Sequence, residues 1–192
     1  MRFGVLTGLY VGVVVMAQVG TNKIVDVPLT GLTAPGGTFL IGIALSMIEI
    51  AHRTAPTRRE GFVNAQVMVA CGWVASVILA GYLAVLNVMS PEDPLFDRLA
   101  GTWRIVAASL LAFAVSETID NSLGTWMRDR VHDAWRVVGT NAVSVPLDSV
   151  VFLLVAFGSL DFIKGQIVVK YAATLLVGVP LVLLLRRHVR PQ

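Results

Sequence analysis

The amino-acid sequence predicts an all-α membrane protein, a bundle of six transmembrane helices in a single domain covering residues 1–192. The chain is 56% hydrophobic and only 14% charged, whereas a soluble domain carries about 25% charged residues. Its mean hydropathy is +0.77. The apolar residues also fall into long runs with few charges, as helices of about 20 residues that cross a bilayer require.

Each predicted helix is an apolar run bounded by charges, prolines or glycines. The second helix starts late, because Pro28, Pro35 and the Gly36-Gly37 pair break its run and predict an irregular stretch before it. Between the fourth and fifth helices, residues 125–135 mix aromatic with charged side chains, which fits a surface helix or a polar loop. The six segments run approximately from Phe3 to Asn22, Thr38 to Ala51, Gly61 to Ser90, Trp103 to Asn121, Gly139 to Gly158 and Gln166 to Leu185.

The basic residues predict the orientation in the membrane. If segments alternate direction, both termini share a face with ten basic residues, and the other face has five. The positive-inside rule then places both termini in the cytoplasm. The net charge of +3 sits at segment ends, so no nucleic-acid-binding patch is expected. The ten are Arg2, Arg53, Arg58, Arg59, Arg128, Arg130, Arg136, Arg186, Arg187 and Arg190; the five are Lys23, Arg98, Arg104, Lys164 and Lys170.

Few residues in the sequence suit catalysis or metal binding. Cys71 is the single cysteine and lies in the third segment, which excludes an intrachain disulfide and a cysteine metal cluster. His52, His132 and His188 fall in predicted cytoplasmic loops or the tail, without the spacing of a metal site or a nucleophile-base pair. The sequence therefore predicts no enzyme, no catalytic residue, no metal and no cofactor.

Four carboxylates lie inside the predicted spans, and they are Glu49, Glu117, Asp120 and Asp148. A carboxylate in hydrocarbon costs about 2.5 to 3.5 kcal/mol on insertion scales, so such side chains usually face a bundle interior. Glu49 has His52 and Arg53 one turn further on, which favours pairing at a helix end. The other three are better candidates for a functional site.

Polar residues form one stripe on each of the last three helices. Glu117 is about 20 Å from the outer end of its helix and Asp148 about 14 Å from the inner end of the next, so the two should lie roughly level. Ser116 and Asp120 are four residues apart, as are Ser144 and Asp148, but so short an echo does not establish an inverted repeat. The stripes are Ser109, Phe113, Ser116 and Asp120; Asn141, Ser144, Asp148 and Phe152; and Gln166, Lys170 and Thr174.

The chemistry of these stripes allows three interpretations. A carboxylate accepts two parallel hydrogen bonds from a fork of N–H donors, such as the edge of a guanine-like ring, while an asparagine could bind the adjacent carbonyl. Alternatively, Asp120 or Asp148 pairs with Lys170 or Arg104 for structural reasons. A buried carboxylate could also carry protons. The aromatic residues that could stack on a ring are Phe113, Phe152, Trp73 and Trp103.

The first segment carries Gly4, Gly8 and Gly12 at a spacing of four. Such a row lets another helix approach closely, which predicts ordinary packing within the bundle or a face for a partner.

Several stretches of the chain resemble the vitamin uptake transporter family, whose better-known members are called queuosine precursor transporters. They are residues 33–42; residues 104–109 leading to Ser116-Glu117 and Asp120; and residues 141–144 followed by Asp148-Ser149 and residues 156–158. The resemblance extends from Asn22 to about Leu185, and it is most specific in the fifth segment and its exit towards Gly165-Gln166. Glu117 stands where glutamine is common in queuosine precursor members.

The resemblance implies a multi-pass importer in the bacterial inner membrane for a queuosine precursor such as 7-cyano-7-deazaguanine. It also implies a fold similar to the substrate-binding subunits of energy-coupling-factor importers. The partners would be a small deazapurine or vitamin-like molecule and the lipid bilayer, and a homo-oligomer is compatible with this. The expected substrate-binding residues are Asn22, Glu117, Asp120, Asn141, Asp148 and Lys170, with Arg104 as a further family position.

Two alternatives stay open. The chain could be a substrate-capture subunit that hands a vitamin-like ligand to a separate ATP-driven module. It could also be a membrane scaffold that transports nothing.

Overall fold

The computed structural model describes residues 3–90, 102–127 and 130–180, and this part of the chain is mostly helical, as predicted. It contains six α-helices and one short hairpin. The elements are α1 (Phe3–Gly20), β1 (Ile24–Val27), β2 (Leu32–Pro35), α2 (Thr38–Thr54), α3 (Arg58–Met89), α4 (Thr102–Met127), α5 (Asp133–Phe157) and α6 (Ile163–Ala173).

The stretch before α2 is a β-hairpin, where the sequence predicted irregular structure. Strand β1 pairs antiparallel with β2, with Val27 opposite Leu32 and Ile24 opposite Pro35. Leu29 and Gly31, in the connecting turn, have φ angles of 66° and 65°. Strands of only four residues, one of them ending in proline, carry too little alternation to be recognised from the sequence.

Most helix ends agree with the predicted segments to within a few residues. Helix α2 begins at Thr38, as predicted, and ends at Thr54, shortly before Pro56. Helix α3 begins after Thr57, whose hydroxyl accepts a hydrogen bond from the backbone N–H of Glu60 at 3.2 Å. This bond satisfies one of the N–H groups that the first turn of a helix leaves without a partner.

Helices α4 and α5 are longer than predicted, and each includes one end of the mixed stretch at residues 125–135. Helix α4 continues to Met127, and α5 begins at Asp133. The backbone N–H of Arg130 donates to the Met127 carbonyl in the turn between them. Of the described residues in this stretch, 125–127 therefore end α4 and 133–135 begin α5, with a turn at Arg130 between them.

The last helix changes its winding in the middle. Helix α6 is followed without a break by a π-helical stretch, Thr174–Gly178. The backbone N–H of Val179 donates to the Thr174 carbonyl, five residues back, as π-helical winding requires. The predicted end of this segment at Leu185 lies outside the described residues.

The six described helices pack in the order α1, α2, α6, α5, α4 and α3, and α3 returns to α1; α2 also packs on α3 across this ring. The α4–α5 interface is the most extensive. One apolar core joins the first three helices through residues such as Tyr10, Ile48 and Met68. A second core joins α4 to α5, and Leu45, Phe113 and Val145 connect the two halves.

The hairpin is fixed to one end of the ring by two glycines. A side chain at Gly37 would overlap the Ala17 carbonyl and the Thr21 hydroxyl, and one at Gly165 would overlap the Thr33 carbonyl. Val27 and Ala34 of the hairpin pack on Val169 of α6. The hairpin therefore lies against the end of α1 and the start of α6.

The outer surfaces of the helices are apolar. Within the described residues, three helices are long and apolar enough to cross a membrane: Phe3–Gly20, Arg59–Met89 and Val138–Phe157; Thr38–Ile48 is a shorter apolar helix. Only 22% of the most apolar window of α3 is buried, and its exposed side chains include Val74, Ile78 and Val85. Apolar surface of this extent is typical of contact with lipid. The full count of six spans stays a prediction.

The glycine row of α1 does not take part in packing within the described chain. No described atom lies within 4 Å of a side chain built at Gly4, Gly8 or Gly12. The predicted intrachain packing is thus absent from this face, which points outwards.

Candidate functional site

The polar stripes of α4 and α5 face each other and join through two reciprocal hydrogen bonds. The Ser116 hydroxyl lies 3.4 Å from Asp148 Oδ1, and the Ser144 hydroxyl donates to Asp120 Oδ1 at 3.1 Å. All four side chains are buried. Because the two helices run antiparallel, the serine of each four-residue pair meets the aspartate of the other. The contact between Ser116 and Asp148 also agrees with the predicted level of the two helices.

An ion pair connects this cluster to α6. Lys170 Nζ binds Asp148 Oδ2 and donates to the Ser149 hydroxyl at 3.1 Å. Lys170 is 2% exposed and Asp148 is 4% exposed. The pairing of Asp148 with Lys170, which the sequence offered as a structural role, is therefore found in the structure. A buried pair of this kind offsets the cost of desolvating both charges only when further hydrogen bonds satisfy them.

The buried charges balance among the described side chains. Asp120 and Asp148 are the buried acids, and Arg136 and Lys170 are the buried bases. Among the described side chains, each buried acid can thus be matched by a buried base, which lowers the cost of burying these charges.

A small cavity opens beside the ion pair. Its volume is about 20 Å³, which is room for about one water molecule. Thr21 follows the end of α1, Thr38 begins α2, and Gln166 lies in the first turn of α6, so the cavity sits at the hairpin end of the bundle. The remaining lining residues are Ile41, Ser109, Phe113, Asp148, Phe152 and Lys170.

Gln166 is the lining residue that the sequence-based site left out. Its side chain is 1% exposed, and its Oε1 has no hydrogen-bond partner among the described residues. Its place on the polar stripe with Lys170 and Thr174 was the signal that could have included it. Sequence alone did not show that it reaches the cavity, or that Thr21 and Thr38 join it there from other elements.

Two predicted site residues line the cavity, and three described ones lie elsewhere. Asp148 and Lys170 are at the cavity, whereas Asp120 is buried with Ser144. The Asn141 side chain lies 3.5 Å from the Thr174 hydroxyl, further along α6. Asn22 is exposed, and its Nδ2 donates to the Gln18 and Val19 carbonyls at the end of α1. The side chains of Glu117 and Glu49 lie outside what the structure describes.

Of the aromatic residues and the arginine proposed from the sequence, some line the cavity and others lie elsewhere. Phe113 and Phe152 line the cavity. Trp103 is 64% exposed, and Trp73 packs between the apolar cores. Arg104 Nε donates to the Val155 carbonyl at 3.1 Å, which ties the start of α4 to the end of α5. The described residues contain no group of three side chains arranged to hold a metal ion.

The apolar outer faces of the helices and the buried polar side chains between them define a helical membrane protein with a polar interior. The chain belongs to the family described as "putative vitamin uptake transporter", whose model matches residues 35–185. No curated protein and no solved structure matches the chain. The protein is thus a membrane transporter by family, which indicates a role other than catalysis.

Proposed function

We propose that this protein imports a 7-deazaguanine, such as 7-cyano-7-deazaguanine, through the cavity beside Asp148. The observation that carries the proposal is the buried Asp148–Lys170 pair at the wall of a cavity lined by hydroxyls, an amide and two aromatic rings. A transported molecule that meets this wall needs donors for the carboxylate and an acceptor for the ammonium.

A guanine-like ring has these groups side by side. Its ring N–H and exocyclic amine form a fork that a carboxylate accepts through two parallel hydrogen bonds, and its carbonyl accepts from a donor next to the fork. Asp148 would take the fork and Lys170 the carbonyl. The carbonyl role first assigned to Asn141 passes to Lys170, because Asn141 lies near Thr174 and does not line the cavity.

The aromatic and hydroxyl groups complete the match. Phe113 on α4 and Phe152 on α5 line the cavity from neighbouring helices, and aromatic faces favour a flat ring by stacking. Thr38 and Ser109 supply hydroxyls that can either donate or accept. This mixture suits a planar heterocycle better than a charged or purely apolar vitamin.

The cavity must widen before such a ring can enter. A volume of about 20 Å³ is far below the 300–1,000 Å³ that is usual for ligand pockets. The cavity lies at the hairpin end of the bundle, which is the external end in the predicted orientation. An importer would load from this end by moving the hairpin and α6 apart from α1.

The test is substrate binding and uptake by an Asp148→Asn variant. We expect the purified wild-type protein to be stabilised against heat by 7-cyano-7-deazaguanine through mass action. The variant should lose a few kcal/mol of binding free energy, because the ring fork loses its anionic acceptor. A folded Asp148→Asn protein with normal uptake would contradict the proposal.

Two controls separate recognition from structural pairing. Asp161→Asn removes an exposed carboxylate in the turn before α6 and should leave binding unchanged. The double variant Asp148→Asn with Lys170→Gln removes the whole ion pair, so no buried charge is left alone. If the pair is only structural, this double variant should fold and bind normally.

An alternative is a substrate-capture subunit that works with a separate ATP-driven module. The glycine row at Gly4, Gly8 and Gly12 leaves room for a partner helix, but it is not the alanine-spaced docking signature of such subunits, which makes this the weaker of the two functions. Uptake that continues in cells without any such module would exclude this alternative. Loss of uptake in those cells, with binding by the purified protein retained, would favour it over independent transport.

A further inference from the structure

The amide oxygen of Gln166 is a buried hydrogen-bond acceptor that no described residue binds. The side chain is 1% exposed and lines the cavity, and its amide oxygen has no partner among the described residues. Buried polar atoms are nearly always hydrogen-bonded, so each exception in a native structure needs an explanation. A ligand donor in the cavity would supply the missing bond.

The position of Gln166 relative to Lys170 sets a length scale for that ligand. The two residues are four apart on α6, and such side chains lie about 5–6 Å apart at Cβ on one face of a helix. Lys170 holds Asp148, so the cavity has a carboxylate-ammonium group on one side and a glutamine amide one turn towards the hairpin. A fused two-ring heterocycle can meet both groups at once with two of its edges.

An amide pairs best with an edge that has a donor beside an acceptor. Glutamine binds adenine in this bidentate way, with its oxygen accepting from an N–H and its NH₂ donating to a ring nitrogen. In a 7-deazaguanine, the edge next to the fork that Asp148 would take has the same pattern: the N9–H donor beside the N3 acceptor.

We propose that Gln166 is a specificity-determining residue that binds the N9–H and N3 edge of the ring and thereby selects the free base over N9-substituted forms. This inference rests on the proposed function, since it assumes that a deazapurine occupies the cavity. A ribose or methyl group at N9 removes the donor and places carbon against the amide oxygen. Ribosides should therefore be rejected, because the buried amide oxygen would stay unpaired.

The experiment compares 7-cyano-7-deazaguanine with its 9-methyl derivative by thermal shift and equilibrium binding to the full-length protein. We expect the wild type to bind the 9-methyl compound about 10- to 100-fold more weakly than the base. Gln166→Met, which keeps the length but not the hydrogen bonds, should bind the base about 10-fold more weakly and reduce the difference to within about 3-fold.

Gln18→Met is the matched control. Gln18 is also a buried glutamine whose Oε1 has no partner among the described residues, but it lies where α1 meets Ser76 of α3 and does not line the cavity. This variant should keep the wild-type preference for the base. Gln166→Glu retains an acceptor for the N9–H, so it should keep the preference for the base over its 9-methyl derivative that Gln166→Met loses. It replaces Gln166→Met if that variant gives no cooperative unfolding transition.

The outcomes distinguish this inference from the proposed function. Equal binding of the base and its 9-methyl derivative by the wild type would overturn the role of Gln166 and leave deazapurine import standing. A preference that survives in Gln166→Met would do the same. If the wild type binds neither compound, the proposed function fails, and the inference that rests on it fails too.

Discussion

At the scale of single residues, the proposed function makes the Asp148–Lys170 pair a link between recognition and stability. The pair lies between α5 and α6, and the Ser116 and Ser149 hydroxyls contact it from two further positions. A ligand that takes the carboxylate must compete with these contacts or share them. In the proposed function, part of the binding energy would replace these internal hydrogen bonds, which would keep the substrate from binding too tightly for release.

Lys170→Met should destabilise the folded protein by about 3–5 kcal/mol, because it leaves the Asp148 carboxylate buried without a counter-charge. The measurement is thermal or denaturant unfolding of the purified protein in detergent. Lys164→Met is the matched control on the same helix, since Lys164 is exposed. Equal stability of the two variants would show that the pair contributes nothing to the fold.

At the scale of elements, α5 contains a proline that another helix compensates. Pro146 has no N–H, so it cannot donate to the Ala142 carbonyl four residues earlier. The Tyr171 hydroxyl of α6 donates to this carbonyl at 3.3 Å. The bond satisfies an exposed carbonyl where lipid offers no water, and it attaches α6 to α5 beside the ion pair.

Tyr171→Phe should therefore lower the free energy of unfolding by about 1 kcal/mol, with an upper limit near 3 kcal/mol if the carbonyl stays unsatisfied. Combining it with Pro146→Ala should recover most of this loss, because an alanine N–H at position 146 can bond the carbonyl within α5. The check is a double-mutant cycle in unfolding experiments. Additive effects of the two substitutions would refute the compensation.

At the scale of the whole molecule, orientation decides whether the cavity can load from outside. The cavity and the hairpin share one end of the bundle, which the distribution of basic residues predicts to be external. The short connection at Ala55–Thr57 lies at the other end. The proposed import direction depends on this assignment.

Cysteine labelling in whole cells measures the orientation. In a Cys71→Ser background, a membrane-impermeant thiol reagent should label Asp26→Cys on the hairpin and Asp161→Cys in the turn before α6. Thr57→Cys should react only after the cells are opened. All three native residues are exposed, so a lack of labelling reports the side of the membrane and not burial. The reverse pattern would invert the topology and the proposed direction of loading.

Much of the fold could be predicted because it depends on local sequence. Charge-poor runs marked the helices, and Thr38 was found as the start of α2 because two glycines precede it. The predicted common level of α4 and α5 agrees with the contact between Ser116 and Asp148, because the rise per residue along each helix is a local property. The hairpin was not predicted, since its strands gain stability from Val169 of α6 and from the close fit at Gly165, far away in sequence.

The sequence by itself determined that the chain is a helical membrane protein of a transporter family with polar stripes on its last three helices. Hydropathy and helical periodicity are properties of each segment alone, so they can be read from the sequence without knowing which segments pack together. Only the tertiary structure decided that Asp148 pairs with Lys170, that the serine-aspartate pairs meet reciprocally, and that Gln166 reaches the cavity with an oxygen that no described residue binds. These facts depend on which stripe faces which helix, and the rotation of each helix is set by packing in the closed ring.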